Sequence, residues 1–143
     1  MKRLFSFFVL LTLLLFSLPG CKEASDMEAF IDKLEAAGWN VSKTYSSEQE
    51  LENISAVFNT EIGFTEGDFR VKIVGGTILT QGGDASADCR LYEFENEQQA
   101  KKYTELYLSD SAQTSSRKIA NKGALVIITD SDAAAALLEL SFS

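Results

Sequence analysis

Leu125-Val126-Ile127-Ile128-Thr129 is the stretch on which the fold turns. Its first four residues are apolar without a break. A strand with one wet face alternates apolar and polar residues, so this run predicts an interior strand buried on both faces. Just before it, Arg117-Lys118-Ile119-Ala120 followed by Asn121-Lys122-Gly123 predicts a partner strand and a tight hairpin turn. Just after it, Asp130-Ser131-Asp132 precedes Ala133 to about Leu140 and predicts a capped final helix. On paper those acids resemble a metal cluster; helix capping accounts for them.

Further upstream, Cys89 to Phe94 reads as another strand. Asn96, with Gln99 three residues on, caps a helix whose apolar stripe is Ala100, Tyr103, Leu106 and Tyr107 and which runs to about Leu108. Tyr92, Tyr103 and Tyr107 either line a groove or pack with rings inside and hydroxyls at the surface. Strand, helix and the Leu125 strand together suggest a β-α-β unit.

Phe69-Arg70-Val71-Lys72-Ile73 alternates apolar and basic and predicts a half-buried strand. Arg70 and Lys72 form its basic row, facing either the protein's own carboxylates or an anionic partner. Gly75-Gly76 is expected to interrupt it, Thr77 to Thr80 to continue or pair back, and residues 82–88 to form a flexible loop. Within that loop Asp84, Ser86 and Asp88 occupy positions 1, 3 and 5 of a calcium-loop pattern, with Glu95 at position 12. Position 6, however, is Cys89 where the turn needs glycine, and the next residues read as strand. These three are therefore weak metal candidates, and no metal or other cofactor is called for.

In the N-terminal half, Ser25-Asp26-Met27-Glu28 and Ser47-Glu48-Gln49-Glu50 are capping boxes. Met27, Phe30, Ile31 and Leu34 give the first helix one apolar face, and Gly38 closes it. Leu51, Ile54, Val57 and Phe58 do the same for a second helix ending near Asn59-Thr60. Trp39 is expected in or at the rim of the core. The resulting class is α+β: a mostly antiparallel sheet, or a mixed one with a split β-α-β unit, carrying about four amphipathic helices. The strand–helix–hairpin stretch resembles, in general pattern only, small bacterial lipoproteins of unknown function, and transfers no site.

The N-terminus explains that comparison. Met1-Lys2-Arg3 is basic, and Leu4 to Leu18 is apolar except for Ser6, Thr12 and Ser17. That is the length of a signal-peptide core and short of the roughly 20 residues of a membrane span. Leu18-Pro19-Gly20-Cys21 comes next and resembles the lipobox of bacterial lipoproteins, with an apolar residue three places before the cysteine and a small one next to it. The resemblance implies cleavage between Gly20 and Cys21, with a diacylglycerol anchor and further acylation, palmitate included, on Cys21. It covers only the first 21 residues. Lys22, by the same resemblance, implies outer-membrane transfer in a Gram-negative cell. The expected organisation is a signal peptide over residues 1–20, a lipidated cysteine and linker over 21–25, and one domain over 26–143. Three or four extended linker residues reach only about 10–14 Å, which keeps the domain close to the headgroups.

Composition narrows the function further. Lys2 and Arg3 leave with the signal and no acidic residue does, so 11 basic residues face 21 acidic ones, a net charge of −10. Such a chain is a poor nucleic-acid ligand. With no histidine anywhere, histidine-based triads and metal sites are excluded. Once Cys21 is lipidated Cys89 is the sole thiol, with no intramolecular disulfide partner, and is expected as a small buried apolar residue. The expectation is a non-enzymatic, membrane-anchored extracytoplasmic module with a partner protein or ligand in the envelope. The alternative is an envelope enzyme working through carboxylates or a Ser/Lys pair, for which no convincing Ser-x-x-Lys setting or acid pair is visible.

Overall fold

The computed structural model describes residues 25–62, 68–82, 84–109 and 117–143. In chain order the elements are α1 (Asp26–Ala36), β1 (Trp39–Tyr45), α2 (Glu48–Ile62), β2 (Ile73–Gln81), β3 (Asp84–Phe94), α3 (Glu97–Ser109), β4 (Lys118–Lys122), β5 (Leu125–Thr129) and α4 (Asp132–Leu138). The strands form one sheet in the order β1-β2-β3-β5-β4. Every neighbouring pair is antiparallel. The class is α+β.

Helices cover both faces of the sheet. Phe58 and Ile62 of α2 and Ala100 and Tyr103 of α3 pack on one side, against Ile73, Tyr92, Phe94, Val126 and Ile128. Phe30 and Leu34 of α1 and Ala134 and Leu138 of α4 pack on the other, against Trp39, Leu79, Leu91, Leu125 and Ile127. Alternate residues of β3 and β5 therefore serve opposite cores, and all five residues of β5 are buried, as the unbroken apolar run predicts.

The capping chemistry is local and forms where the sequence places it. The Ser25 hydroxyl accepts from the Glu28 N–H at 3.2 Å while the Glu28 carboxylate accepts from the Ser25 N–H at 3.1 Å. Gly38 comes just after α1 with φ of +92°, a conformation that glycine adopts without a Cβ clash. Asn96 caps α3 through Gln99 N–H at 2.9 Å. Ser131 caps α4 through Ala134 N–H at 3.2 Å, Asp132 pairs with Lys118, and Asp130 accepts from the Asp88 N–H. The helix ends at Leu138 with Glu139 left-handed, two residues short of Leu140. The β4–β5 hairpin turns one step later than Asn-Lys-Gly suggested: Lys122 pairs with Leu125, and Gly123, at φ of +56°, leads a two-residue Gly123-Ala124 turn.

Four expectations are corrected. β1 went unread because it is a polar edge strand in which only Trp39 is buried. Gly75-Gly76 does not interrupt a strand but lies inside β2. A Cβ on Gly76 would stand 2.9 Å from Tyr92 Cδ1 and 3.2 Å from Tyr45 Cδ2, so the missing side chain makes room for two rings. The loop expected to run to Asp88 ends by Asp84, where β3 begins, so Asp84, Ser86 and Asp88 lie along a strand. The Cys89 and Leu125 strands are antiparallel neighbours rather than a parallel β-α-β pair. Helix α3 instead leads from β3 to β4, which run in the same direction with β5 between them. The split arrangement is there, but it contains no parallel hydrogen-bonded pair.

Phe69 to Lys72 alternates like a strand yet has no strand partner in the sheet. Side chains take the place of a ladder. The Asn59 amide accepts from Val71 N–H at 2.7 Å and donates to Val71 C=O at 2.8 Å. Ser55 Oγ accepts from Ile73 N–H at 2.9 Å, and Gln99 Oε1 from Lys72 N–H at 2.8 Å. The Lys72 C=O also accepts from the Glu95 N–H at 2.9 Å, just past the end of β3. These groups are thus satisfied by α2, α3 and the end of β3, with Val71 buried beneath them.

Two expected outcomes test this packing. Gly76→Val forces atoms into the Tyr45–Tyr92 contact and lowers unfolding free energy by about 1–3 kcal/mol in a urea melt, the usual cost of overpacking. Gly75→Ala, whose added carbon meets nothing closer than 3.4 Å, stays near the parent value. Burial, opposed by a hydrogen bond with Thr129, pushes the Cys89 thiol from 9.0 up to about 12. A raised acid pKa means the stability contribution is full below pH 9.0 and is lost as pH rises toward about 12. Iodoacetamide at about pH 8 therefore modifies Cys89 only after urea unfolding, as intact-mass spectrometry would show.

Candidate functional site

On the face covered by α2 and α3 the aromatic residues gather into a band. All four tyrosines of the chain are in it. Tyr45 ends β1 with its ring centroid 6.3 Å from that of Tyr92 on β3. Phe58 of α2 meets Tyr92 edge-on at 4.9 Å and Tyr103 of α3 at 4.8 Å. Tyr107 lies one helical turn beyond, 6.2 Å from Tyr103. Such separations are those of favourable offset and edge contacts.

The band does not close completely. Between α2, α3 and the sheet lies a cavity of about 370 Å³, walled by Phe58, Tyr92, Tyr103 and Tyr107 and bounded by Glu61, Arg90 and Arg117. The Tyr103 hydroxyl donates to Glu61 Oε2 at 2.9 Å. Arg90 Nε and Nη2 donate to a single oxygen, Asp88 Oδ2, at 2.9 and 2.7 Å. Arg117 Nη2 approaches the same atom at 3.4 Å. Two guanidinium groups thus share one carboxylate oxygen. Asp88 Oδ1 is buried and has no hydrogen-bond partner among the described residues.

Asp88 is fixed by its backbone. Its N–H donates to Asp130 Oδ1 at 3.0 Å, and its carbonyl accepts from the buried Thr129 hydroxyl at 2.7 Å. Strand β5 and the entry to α4 therefore set where the arginines meet. Burial opposes the charge on Arg90, but the Asp88 hydrogen bond and charge outweigh it, and its pKa rises above the ordinary value. Burial likewise pushes the Tyr92, Tyr103 and Tyr107 hydroxyls up, Tyr103 most, with Glu61 adding to the effect. At neutral pH the cavity presents permanent cations beside neutral phenols that both donate and accept hydrogen bonds.

The residues singled out from the sequence are placed differently. Tyr92, Tyr103 and Tyr107 do line a groove. Arg70 and Lys72 are exposed and lie outside it. Arg70 Nη1 donates to Phe69 C=O at 2.7 Å, and Lys72 pairs with Glu95 at 3.4 Å at the rim of a wider depression along α2. Lys72 thus faces one of the protein's own carboxylates, one of the two readings of the basic row. Among the described residues no group of three or more acids or cysteines is arranged to hold a metal. The side chains of Asp84 and Ser86, together with Gly20 and Cys21, lie outside the described residues. Among the described residues no helix is long and apolar enough to cross a membrane.

Arg90 and Arg117 were missed. They are 27 residues apart in sequence, a separation that carries no motif. The available signal was Arg90-Leu91-Tyr92, which sets an arginine and a tyrosine on one face of a strand. Comparison with protein-family models, with curated proteins and with solved structures finds nothing similar to this chain.

Proposed function

We propose that this protein is a lipid-anchored extracytoplasmic binding module, held to a membrane by acylated Cys21 and using the cavity between α2, α3 and the sheet as its contact site. The observation that carries the reading is the spacing from cysteine to fold. The Ser25 capping box starts α1 only four residues after Cys21. A tether that short reaches about 10–14 Å and holds the domain close to the bilayer. A pocket with a few polar groups among aromatic walls suits recognition of a small ligand or of a projecting group on an envelope partner. The absence of histidine from the sequence favours binding over histidine-based catalysis. The net charge of −10 supports a partner other than nucleic acid.

The anchor is tested in a bacterial host by labelled fatty acid and fractionation. The parent chain takes up label and sediments with membranes. Cys21→Ser takes up none and loses stable membrane association, because each buried methylene of an acyl chain contributes about 0.8 kcal/mol and two chains are needed for lasting attachment. A parent chain without label, or a Cys21→Ser chain that stays on membranes as the parent does, would sink the proposal.

A further inference from the structure

We infer that the cavity binds a small organic anion, with one oxyanion head on Arg117 and Arg90 and an apolar body against Tyr107, Ile54 and Val57, the apolar side chains of its lining that are open to solvent. The inference deepens the binding reading above, but it concerns the folded domain and not the anchor.

Charge at the site is the first argument. The chain is strongly acidic, yet two of the three arginines that remain after Cys21 meet at this one cavity. They share one Asp88 oxygen, so the arginine pair exceeds its own carboxylate by one positive charge, with Glu61 the remaining charged group of the lining. Both side chains are about one-third exposed, 34% for Arg90 and 35% for Arg117, and Asp88 beneath them is 14% exposed. Two cations drawn together over one carboxylate repel each other, and a second anion relieves that repulsion. Arg117 is placed to receive it: its 3.4 Å approach to Asp88 is long for a charge-assisted bond, whereas Arg90 is held at 2.7 Å. The planar guanidinium favours a carboxylate or phosphate head.

Shape supplies the second argument. At about 370 Å³ the cavity is at the small end of the ~300–1,000 Å³ range of ligand pockets. Phe58, Tyr92 and Tyr103 are packed into the core, and the apolar surface left open in the cavity is that of Tyr107, Ile54 and Val57. Glu61 lines the same cavity and holds the Tyr103 hydroxyl. Its charge disfavours a second acidic group there, so the ligand carries one anionic head.

The test uses the full chain in a nonionic detergent, titrated with phenylacetate, phenyl phosphate and benzylamine by calorimetry. Saturable binding of phenylacetate or phenyl phosphate, with none of benzylamine, is expected, and the tighter of the two heads identifies the source chemistry. Arg117→Gln, melting at the parent temperature, should weaken binding by about tenfold or more, the size of one charge-assisted hydrogen bond. Should that variant unfold, the ring signals of Tyr103 and Tyr107 in the parent must shift on adding phenylacetate. Equal binding of benzylamine, affinity unchanged in folded Arg117→Gln, silent tyrosine rings, or no saturable binding by either anion overturns the inference. Loss of fatty-acid labelling would instead overturn the anchor and leave this result standing.

Discussion

The sheet is buried on both sides at once along β3 and β5, and the other elements are arranged by that requirement. Tyr92, Phe94, Val126 and Ile128 face α2 and α3, whereas Cys89, Leu91, Leu125 and Ile127 face α1 and α4. Each such side chain contributes about 1.5–3 kcal/mol when removed from water. Neither core can be withdrawn without exposing one face of the same strands. The helices therefore come in two pairs, and the pair α2–α3 leaves the incomplete closure that becomes the cavity.

Two β-bulges let the outer strands serve this arrangement. In β1 the register shifts between Val41 and Lys43, and in β2 between Ile73 and Gly75. Each extra residue reverses the inward and outward sense of the residues beyond it. Trp39 thus enters one core while Tyr45, six positions on, reaches the other. Ile73 and Leu79 are divided in the same way. The bulge in β1 thereby brings Tyr45 into the aromatic band, and Gly76 supplies the space in which its ring and that of Tyr92 sit.

Asp88 links the core to the cavity. Its backbone belongs to the β3–β5 region through Thr129 and Asp130, and its carboxylate gathers Arg90 and Arg117. The clustering of the guanidinium groups is local: they converge on one carboxylate in a chain that is acidic as a whole.

The two-sided burial of Leu125 to Thr129, the helix starts at Ser25, Asn96 and Ser131, and the stop at Gly38 are all legible in the chain. They depend on neighbours within four residues or on an unbroken apolar run, so the backbone carries the signal locally. The same holds for the lipobox-like Leu18-Pro19-Gly20-Cys21. The bulged strands were not legible, because a bulge breaks the period of two on which reading a strand depends. Nor was the Phe69–Ile73 segment, whose strand-like alternation is held by Asn59, Ser55 and Gln99 rather than by a strand. Three tyrosines could be named as groove candidates, but not Arg90, Arg117 or Glu61 beside them. Sequence alone determined the elements whose causes are local. Only the tertiary structure decided the site, because charges far apart along the chain meet solely through the order in which its strands pair.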